Sequence, residues 1–148
     1  MEFIDVALEE AKKALYIDEV PIGAIIVKDG KIIGRGHNLR ETIKNPLAHA
    51  EIIAINEASK TLGNWRLNGC SMFVTLEPCI MCAGAIVQSR LSELNIGTFD
   101  PNLGACGSVL NLVNNQYINS NIKVNWLYNN ECSEILKEFF KSLRNKSI

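Results

Sequence analysis

The chain lacks the features that mark membrane and secreted proteins. None of its apolar runs approaches the roughly 18 residues that a membrane-spanning helix requires. Its first residues carry no basic start followed by an apolar block, so no secretory signal is visible. The five cysteines are an odd number, and Cys79 and Cys82 fit a metal pattern better than a disulfide pattern. We therefore expect a cytoplasmic protein with no membrane partner.

The chain also lacks the basic excess of a typical nucleic-acid binder. Its formal net charge is −1 and its pI is about 6.1. Two local groups of cations nevertheless occur, within residues 35–44 and 137–146. Either group can be a solvated surface or a phosphate-binding surface, and composition leaves both interpretations open.

Length and composition indicate one ordinary domain. A chain of 148 residues can bury a real core without disulfides, and 47% hydrophobic with 21% charged residues is a typical globular composition. No linker, internal repeat or low-complexity tract interrupts the sequence. We predict a single domain over residues 1–148.

Apolar periodicity and turn residues predict an α/β fold. Helices are predicted over residues 3–17, 48–62, 79–90 and 131–146, strands over residues 24–27, 71–76, 93–99 and 123–128 and from residue 31 onward, and loops over residues 38–47 and 100–108. Asp29-Gly30 is typical of a hairpin turn. This order predicts a mixed sheet with helices on both faces. Five further side chains are expected in the core: Trp65, Trp126, Cys70, Cys106 and Cys132.

Two short motifs point to a metal site. His49-Ala50-Glu51 is followed, 30 residues after His49, by Pro78-Cys79-Ile80-Met81-Cys82. Pro78 predicts a helix start, where Cys79 and Cys82 share one face and the helix terminus favours the thiolates that metals bind. His49, Cys79 and Cys82 are predicted to hold one zinc ion (Zn²⁺) per chain. With three protein ligands, the fourth position stays open for water, as in catalytic zinc sites.

Glu51 is predicted to move protons beside that ion. A neutral His49 and two thiolates balance the 2+ charge, so zinc-bound water can ionise near neutral pH to a hydroxide nucleophile. A carboxylate that is not itself a ligand can take the proton of the water, deliver it to a ring nitrogen and protonate the departing amine. The motifs therefore predict hydrolytic deamination, with Glu51 as the catalytic proton shuttle.

Other interpretations of the cysteines stay open at the level of the residues. Cys-x-x-Cys also occurs in thioredoxin-like redox proteins, although those do not require an upstream His-x-Glu. A structural zinc closed by a fourth cysteine would make a binding module without catalysis. The free Glu51 argues against that module, because a closed site has no use for it. His37, the only other histidine, is expected to be a loop or surface residue.

The paired motifs resemble the His-x-Glu and Pro-Cys-x-x-Cys signature of the zinc-dependent nucleobase deaminases. Similarity to the bacterial tRNA-specific adenosine deaminases extends over most of the chain, through residues 20–24, 38, 49–52, 54–55, 74–86, 89–90, 100, 104–108, 131–132 and 139–140. The resemblance implies a three-layer α/β/α, cytidine deaminase-like fold with a central five-stranded mixed sheet. It also implies a homodimer that converts the wobble adenosine of a tRNA anticodon to inosine.

The same resemblance implies four contacts to the target nucleotide. Asn38 would hydrogen-bond the base, and the backbone N–H of Ala50 would contact it. The backbone of Glu77 would lie beside the leaving amine, and Asp100 would hold the nucleotide in its flipped-out position.

Phe139 and Phe140 are implied to meet the tRNA anticodon loop, together with cations of the last helix. Single-stranded loops suit this role because their bases can be splayed out without breaking a duplex. We expect one of the two rings to be buried. The nearest rival function is a small-molecule deaminase of guanine, cytosine or a nucleoside, which would use the same zinc and Glu51. Such an enzyme would use its C-terminus as a lid and would need no cations there.

Overall fold

A computed structural model describes residues 1–146, and residues 147 and 148 of the predicted domain lie outside the described residues. The helices are α1 (Phe3–Tyr16), α2 (Ala50–Leu62), α3 (Ile80–Gln88) and α4 (Asn130–Lys146). The strands are β1 (Gly23–Lys28), β2 (Lys31–His37), β3 (Ser71–Leu76), β4 (Glu93–Thr98), β5 (Asn114–Asn115), β6 (Ser120–Asn121) and β7 (Lys123–Trp126). Every predicted helix and strand is present. No helix within residues 1–146 is both long and apolar enough to cross a membrane.

Five strands form one mixed sheet in the order β2-β1-β3-β4-β7. Strand β1 pairs antiparallel with β2 and with β3, whereas β3, β4 and β7 run parallel. Asp29 and Gly30 have positive φ angles of 49° and 76°, the backbone that a tight type I′ hairpin turn requires. The predicted five-stranded mixed sheet is confirmed.

Helices cover both faces of this sheet, as the predicted three-layer α/β/α fold requires. Alternate side chains of a strand point to opposite faces. Accordingly, Ala24 and Ile26 of β1 pack with α2 and α3, whereas Ile25 and Val27 pack with α1 and α4. Burial of apolar surface on both sides of the sheet stabilises the layers.

The strand directions bring several chain segments to one edge of the sheet. Gly23 at the start of β1 pairs with His37 at the end of β2, because these strands run in opposite directions. Leu76 and Thr98, at the ends of β3 and β4, are partners in the parallel pair. The segment before β1 and the segments after β2, β3 and β4 therefore meet at this edge.

Helix α2 packs closely on β2 because two strand glycines leave room for its backbone. A Cβ atom at Gly34 would lie 2.4 Å from the carbonyl oxygen of Ala54. A Cβ atom at Gly36 would lie 2.3 Å from the carbonyl oxygen of Ala50, at the first turn of α2. The start of α2 is thereby fixed at the edge where the other segments meet.

Two features differ from the sequence prediction. The β5–β6 hairpin was not predicted, because strands of two residues carry no periodic pattern. Trp65 is 52% exposed, so its prediction as a core residue is wrong; it lies after α2 with the Arg66 guanidinium 4.4 Å from its ring centroid. Trp126 packs against the core. The predicted burial of the remaining three side chains is confirmed for Cys70, Cys106 and Cys132.

Candidate active site

Two helix starts carry the predicted metal ligands. His49 is the N-cap residue of α2 and Cys79 is the N-cap residue of α3, both with extended backbone. Pro78 lies immediately before Cys79, as expected from the preference of proline for helix starts. Cys82 follows in the first turn of α3. Because α2 and α3 both begin at the same sheet edge, the three side chains converge.

The geometry of the three donors fits a zinc ion. The Nδ1 atom of His49 lies 3.7 Å from the Sγ of Cys79 and 3.5 Å from the Sγ of Cys82. All three donor atoms lie within 4.8 Å of one another. A tetrahedral zinc with Zn–S of ~2.3 Å and Zn–N of ~2.0 Å needs N···S separations of about 3.5 Å. Donor chemistry and spacing are therefore both suitable for zinc.

Contacts within the cluster shift the protonation of its members. The Cys82 thiol, together with His49, holds the pKa of Cys79 far below its usual value and favours its thiolate. The hydrogen bond to Cys79 raises the pKa of His49. The contact with Cys79 and burial both raise the pKa of Cys82. The cluster concentrates electron-rich donors at one point, where a divalent cation is strongly attracted.

The Glu51 carboxyl lies beside these donors. Glu51 belongs to the first turn of α2, is only 4% exposed and lines the same cavity as His49 and Cys79. Burial raises the pKa of Glu51 to about 7. A carboxyl with such a pKa can both accept and release a proton near neutral pH.

One cavity of about 500 Å³ opens at this sheet edge, a volume typical of small-molecule sites. Its lining includes nine of the ten predicted site residues: Asn38, His49, Ala50, Glu51, Glu77, Cys79, Asp100, Phe139 and Phe140. The tenth, Cys82, is fully buried and contacts His49. The structure thus brings all the predicted site residues together.

A buried carboxylate that sequence reasoning missed holds one wall of the cavity. Glu19 is 1% exposed and accepts hydrogen bonds from the backbone N–H groups of Glu41 and Thr42 at 3.1 and 2.6 Å. The Thr42 hydroxyl also donates to it. Residues 38–47, predicted as a polar loop, are therefore fixed to the segment before β1. The only sequence signal was an acidic pair, Asp18-Glu19, a few residues before a buried strand.

The side chain of Glu77 holds the opposite wall of the cavity, the loop over residues 100–108. Only a role for the backbone of Glu77 was predicted from the sequence. Its carboxylate accepts hydrogen bonds from the backbone N–H groups of Asp100, Cys106 and Ser108 at 2.9, 3.0 and 3.1 Å, and from the Ser108 hydroxyl. A Cβ atom at Gly104 would lie 2.3 Å from this carboxyl group. Glycine is therefore required at that position for the loop to close over Glu77.

The two phenylalanines of α4 both face the cavity. Phe140 is 42% exposed and Phe139 is half-buried, with their rings edge-on at a centroid distance of 5.4 Å. The expectation that one ring is buried is wrong, because α4 lies at the cavity mouth with both rings along the lining. Beyond Phe140, a groove of about 550 Å³ continues along Lys137 and Arg144.

The fold and the His-Cys-Cys cluster are those of a deaminase. Residues 2–144 match the family of MafB19-like deaminases. This match covers the sheet, all the predicted site residues and most of α4.

Individual proteins define the branch more closely. The chain is 49% identical to the tRNA-specific adenosine deaminase of Bacillus subtilis, over 95% of this chain and 88% of that protein. A solved structure from a study of A-to-I editing by tRNA:A34 deaminases superposes with a TM-score of 0.87 at 41% identity, over 90% of this chain and 98% of that one. A guanine deaminase from Bacillus subtilis matches less fully, with a TM-score of 0.63 at 38% identity over 66% of this chain and 62% of that one. The chain belongs to the family of tRNA-specific adenosine deaminases.

Proposed function

We propose that this protein converts the wobble adenosine of a tRNA anticodon to inosine and releases ammonia. The observation that carries the proposal is the convergence of nine predicted site residues on one cavity: the catalytic Glu51, six substrate-contacting residues and two of the three metal ligands. The chain that bears them is related over nearly its full length to tRNA-specific adenosine deaminases. The adjoining groove with Lys137 and Arg144 suits the phosphates of a single-stranded loop.

His49, Cys79 and Cys82 would hold one zinc ion per chain. The N···S distances of 3.5 and 3.7 Å support this assignment, as does the preference of zinc for imidazole and thiolate ligands. When bound, zinc supplies Lewis acidity that lowers the pKa of water and makes it a nucleophile at neutral pH.

Glu51 would carry the protons of the reaction. It would take one proton from the attacking water and deliver it to a ring nitrogen of adenine. It would then pass the remaining proton of the added hydroxyl to the amine, which departs as ammonia when its carbon–nitrogen bond breaks. One water is consumed, and its oxygen replaces the amine nitrogen on the ring. Burial of Glu51 supports this role because a pKa of about 7 lets one carboxyl perform both transfers.

Asn38 and Ala50 would recognise the base. The Asn38 Nδ2 group donates to the carbonyl oxygen of Val20 at 3.3 Å, and its Oδ1 accepts from the backbone N–H of Arg40 at 3.1 Å. These bonds fix the side-chain amide and leave it one further N–H and one lone pair for the base. Ala50 is the first residue of α2, where backbone N–H groups have no helical partner.

Glu77 and Asp100 would complete the nucleotide site. The backbone N–H of Glu77 already donates to the carbonyl oxygen of Thr98 at 2.9 Å, so its own carbonyl is the group that we assign to the leaving amine. Asp100 lines the cavity mouth and would hold the flipped-out nucleotide. Phe139 and Phe140 would contact neighbouring bases of the anticodon loop, since stacking on aromatic rings is common in RNA recognition.

The proposal includes a homodimer in the cytoplasm. A tRNA substrate and five unpaired cysteines support the cytoplasmic location. The dimer is testable by light scattering, which should give twice the chain mass of 16.4 kDa.

An anticodon stem-loop with adenosine at the wobble position tests the proposed reaction. The purified protein should convert that adenosine to inosine, detected by sequencing, and should leave a matched stem-loop with adenosine at another loop position unchanged. Reaction of free guanine or cytosine without reaction of the stem-loop would instead favour the small-molecule deaminase.

A further inference from the structure

The catalytic cavity contains few cations for a substrate that is a polyanion. Among the described residues, its charged lining comprises Asp18, Glu19, Glu41, Glu51, Glu77, Asp100 and Arg40, besides His49. Arg40 is thus the only lysine or arginine side chain along this lining. A nucleotide that enters the cavity with its phosphates would meet carboxylates on most sides and one guanidinium.

The guanidinium of Arg40 has no hydrogen-bonding or ion-pair partner among the described residues. Arg40 is exposed, and among residues 1–146 its side chain forms no hydrogen bond or ion pair; only its backbone N–H is engaged, by Asn38. The nearby carboxylate of Glu19 is instead occupied by the N–H groups of Glu41 and Thr42. Arg40 therefore keeps its full set of donors for a ligand.

The backbone on both sides of Arg40 is fixed. The preceding residue, Leu39, donates its N–H to the carbonyl oxygen of Ala48 at 3.0 Å. The two following residues are bonded to the buried Glu19. An arginine on such a fixed segment loses less conformational entropy on binding than one on a mobile loop.

We infer that Arg40 anchors a backbone phosphate adjacent to the target adenosine, and this inference rests on the proposed function. The planar guanidinium can donate two parallel hydrogen bonds to a phosphate, which fixes both position and orientation. Arg40 belongs to the loop that starts at Asn38, the proposed base-contacting residue. The segment from Asn38 to Arg40 would therefore contact the base through Asn38 and the adjacent phosphate through Arg40.

This position of Arg40 distinguishes two classes of substrate. A free base has no phosphate and gains nothing from Arg40, whereas a nucleotide within an RNA chain does. Lys137 and Arg144 lie in the groove beyond Phe140 and would contact phosphates farther along the chain. Arg40 is thus a specificity-determining residue for a polynucleotide.

A mutant cycle between the protein and the RNA tests this inference. Its substrates are the wobble-adenosine stem-loop and two versions in which an uncharged methylphosphonate replaces the phosphate on the 5′ or the 3′ side of that adenosine. Arg40→Ala should raise the KM for the unmodified stem-loop about 10- to 100-fold, the usual effect of losing a charged hydrogen bond, with kcat unchanged. One of the methylphosphonates should raise the KM of the natural protein similarly but should cause no further loss in Arg40→Ala.

Two variants serve as controls. Arg40→Lys should recover part of the loss, because it restores the charge without the fork of donors. Arg35→Ala removes an equal charge from an exposed position on β2 outside the cavity and should behave like the natural protein. For binding of the stem-loop, the slope of log Kd against log salt concentration should be smaller by about 0.7 in Arg40→Ala, as expected for the loss of one phosphate contact on a single strand.

The outcomes separate this inference from the proposed function. If each methylphosphonate raises the KM of Arg40→Ala further, Arg40 does not anchor either phosphate and the inference is wrong. The inference is also wrong if Arg35→Ala raises the KM for the unmodified stem-loop as much as Arg40→Ala does. If the natural protein does not deaminate the unmodified stem-loop, the proposed function fails and the inference fails with it.

Discussion

Three buried glutamates show how local surroundings give one side chain different roles. The carboxylates of Glu19 and Glu77 are filled by N–H and O–H donors and hold the two loops of the cavity. Glu51 is also buried and lines the same cavity, but it lies beside the metal-donor cluster and burial raises its pKa to about 7. Hydrogen-bond donors thus make the carboxylates of Glu19 and Glu77 structural, whereas the desolvated Glu51 carboxyl can exchange protons.

Replacement of Glu51 by glutamine should abolish proton transfer while the site stays assembled. Glutamine has the same shape but cannot take a proton from water, so kcat should fall about 10²- to 10⁴-fold. Metal content, measured by mass spectrometry, should be unchanged because Glu51 is not among the three donors. Near-normal turnover by this variant would remove Glu51 from the mechanism.

Glu19 should make stability depend on pH in the acid range. Burial alone would raise the pKa of Glu19, but the hydrogen bonds from Thr42 and Glu41 outweigh it and lower the pKa below the ordinary 4.5. A depressed folded-state pKa stabilises the fold above the unfolded-state value, and this stability is lost as pH falls through the folded-state pKa. Glu19→Gln should therefore lower the free energy of unfolding at pH 7 by about 1–3 kcal/mol.

Urea unfolding at several pH values measures this contribution. The difference between Glu19→Gln and the natural protein should shrink as pH falls below about 4.5. A difference that is independent of pH would mean that the carboxylate charge does not hold the loop.

At the scale of elements, the position of the site depends on the contact between α2 and β2. Gly36→Ala would place a Cβ atom 2.3 Å from the Ala50 carbonyl oxygen, so α2 must move away from the sheet. We expect a loss of roughly 1–3 kcal/mol in the free energy of unfolding, as for other overpacked sites. Turnover should also fall, because His49 and Glu51 move with the first turn of α2.

Gly84→Ala is the matched control for this prediction. Gly84 lies within α3, and a Cβ atom there would meet nothing within 4 Å. This change should be neutral or should stabilise the protein by up to about 1 kcal/mol, because alanine favours a helix more than glycine does. Thermal unfolding and single-turnover rates of the two variants can be compared directly. Equal effects of both changes would contradict the role of the α2–β2 contact.

Local patterns were sufficient to predict the helices and the strands of the central sheet. The Asp29-Gly30 dipeptide specifies a tight turn, and the apolar pattern before Gly63 specifies a helix. The β1–β2 hairpin and α2 therefore agree with the prediction. The exposure of Trp65 depends on tertiary packing that no local pattern records. The β5–β6 hairpin likewise depends on side-chain hydrogen bonds such as that from Ser120 to the Leu112 carbonyl oxygen.

For the whole molecule, zinc should link the starts of two consecutive helices, α2 and α3, which strand β3 separates in the chain. His49 begins α2 and the two cysteines begin α3, so a bound ion fastens both starts together. A ligand that binds only the folded state stabilises it. Metal analysis should find about one zinc per chain, and removal by a chelator should lower the melting temperature and abolish turnover.

Two cysteine variants test this prediction. Cys82→Ala should lose the metal, whereas Cys70→Ala, which removes a buried thiol outside the cluster, should retain it. Active protein with no bound metal, or equal metal loss in both variants, would contradict the assigned ligands.

The four residues of the two motifs were more predictable than the loops that form the cavity walls around them. His49, Glu51, Cys79 and Cys82 form short motifs whose spacing has a direct chemical meaning. By contrast, Glu19 contacts residues more than twenty positions away, and the Glu77 carboxylate contacts residues 23 to 31 positions away. Such contacts are set by the strand order, so a single sequence does not reveal them.

The predicted metal donors and the later part of the cavity wall are made at different times during synthesis of the chain. All three predicted metal donors lie within residues 49–82, on elements supported by β1, β2 and β3. The loop bound by Glu77 and the phenylalanines of α4 lie between residues 100 and 140. The ribosome therefore completes the three predicted metal donors before it completes the loop after β4 and helix α4, which form the rest of the cavity wall. If the ion binds during synthesis, the nascent chain would hold it before the Asp100 loop and the two phenylalanines are present to complete the proposed tRNA site.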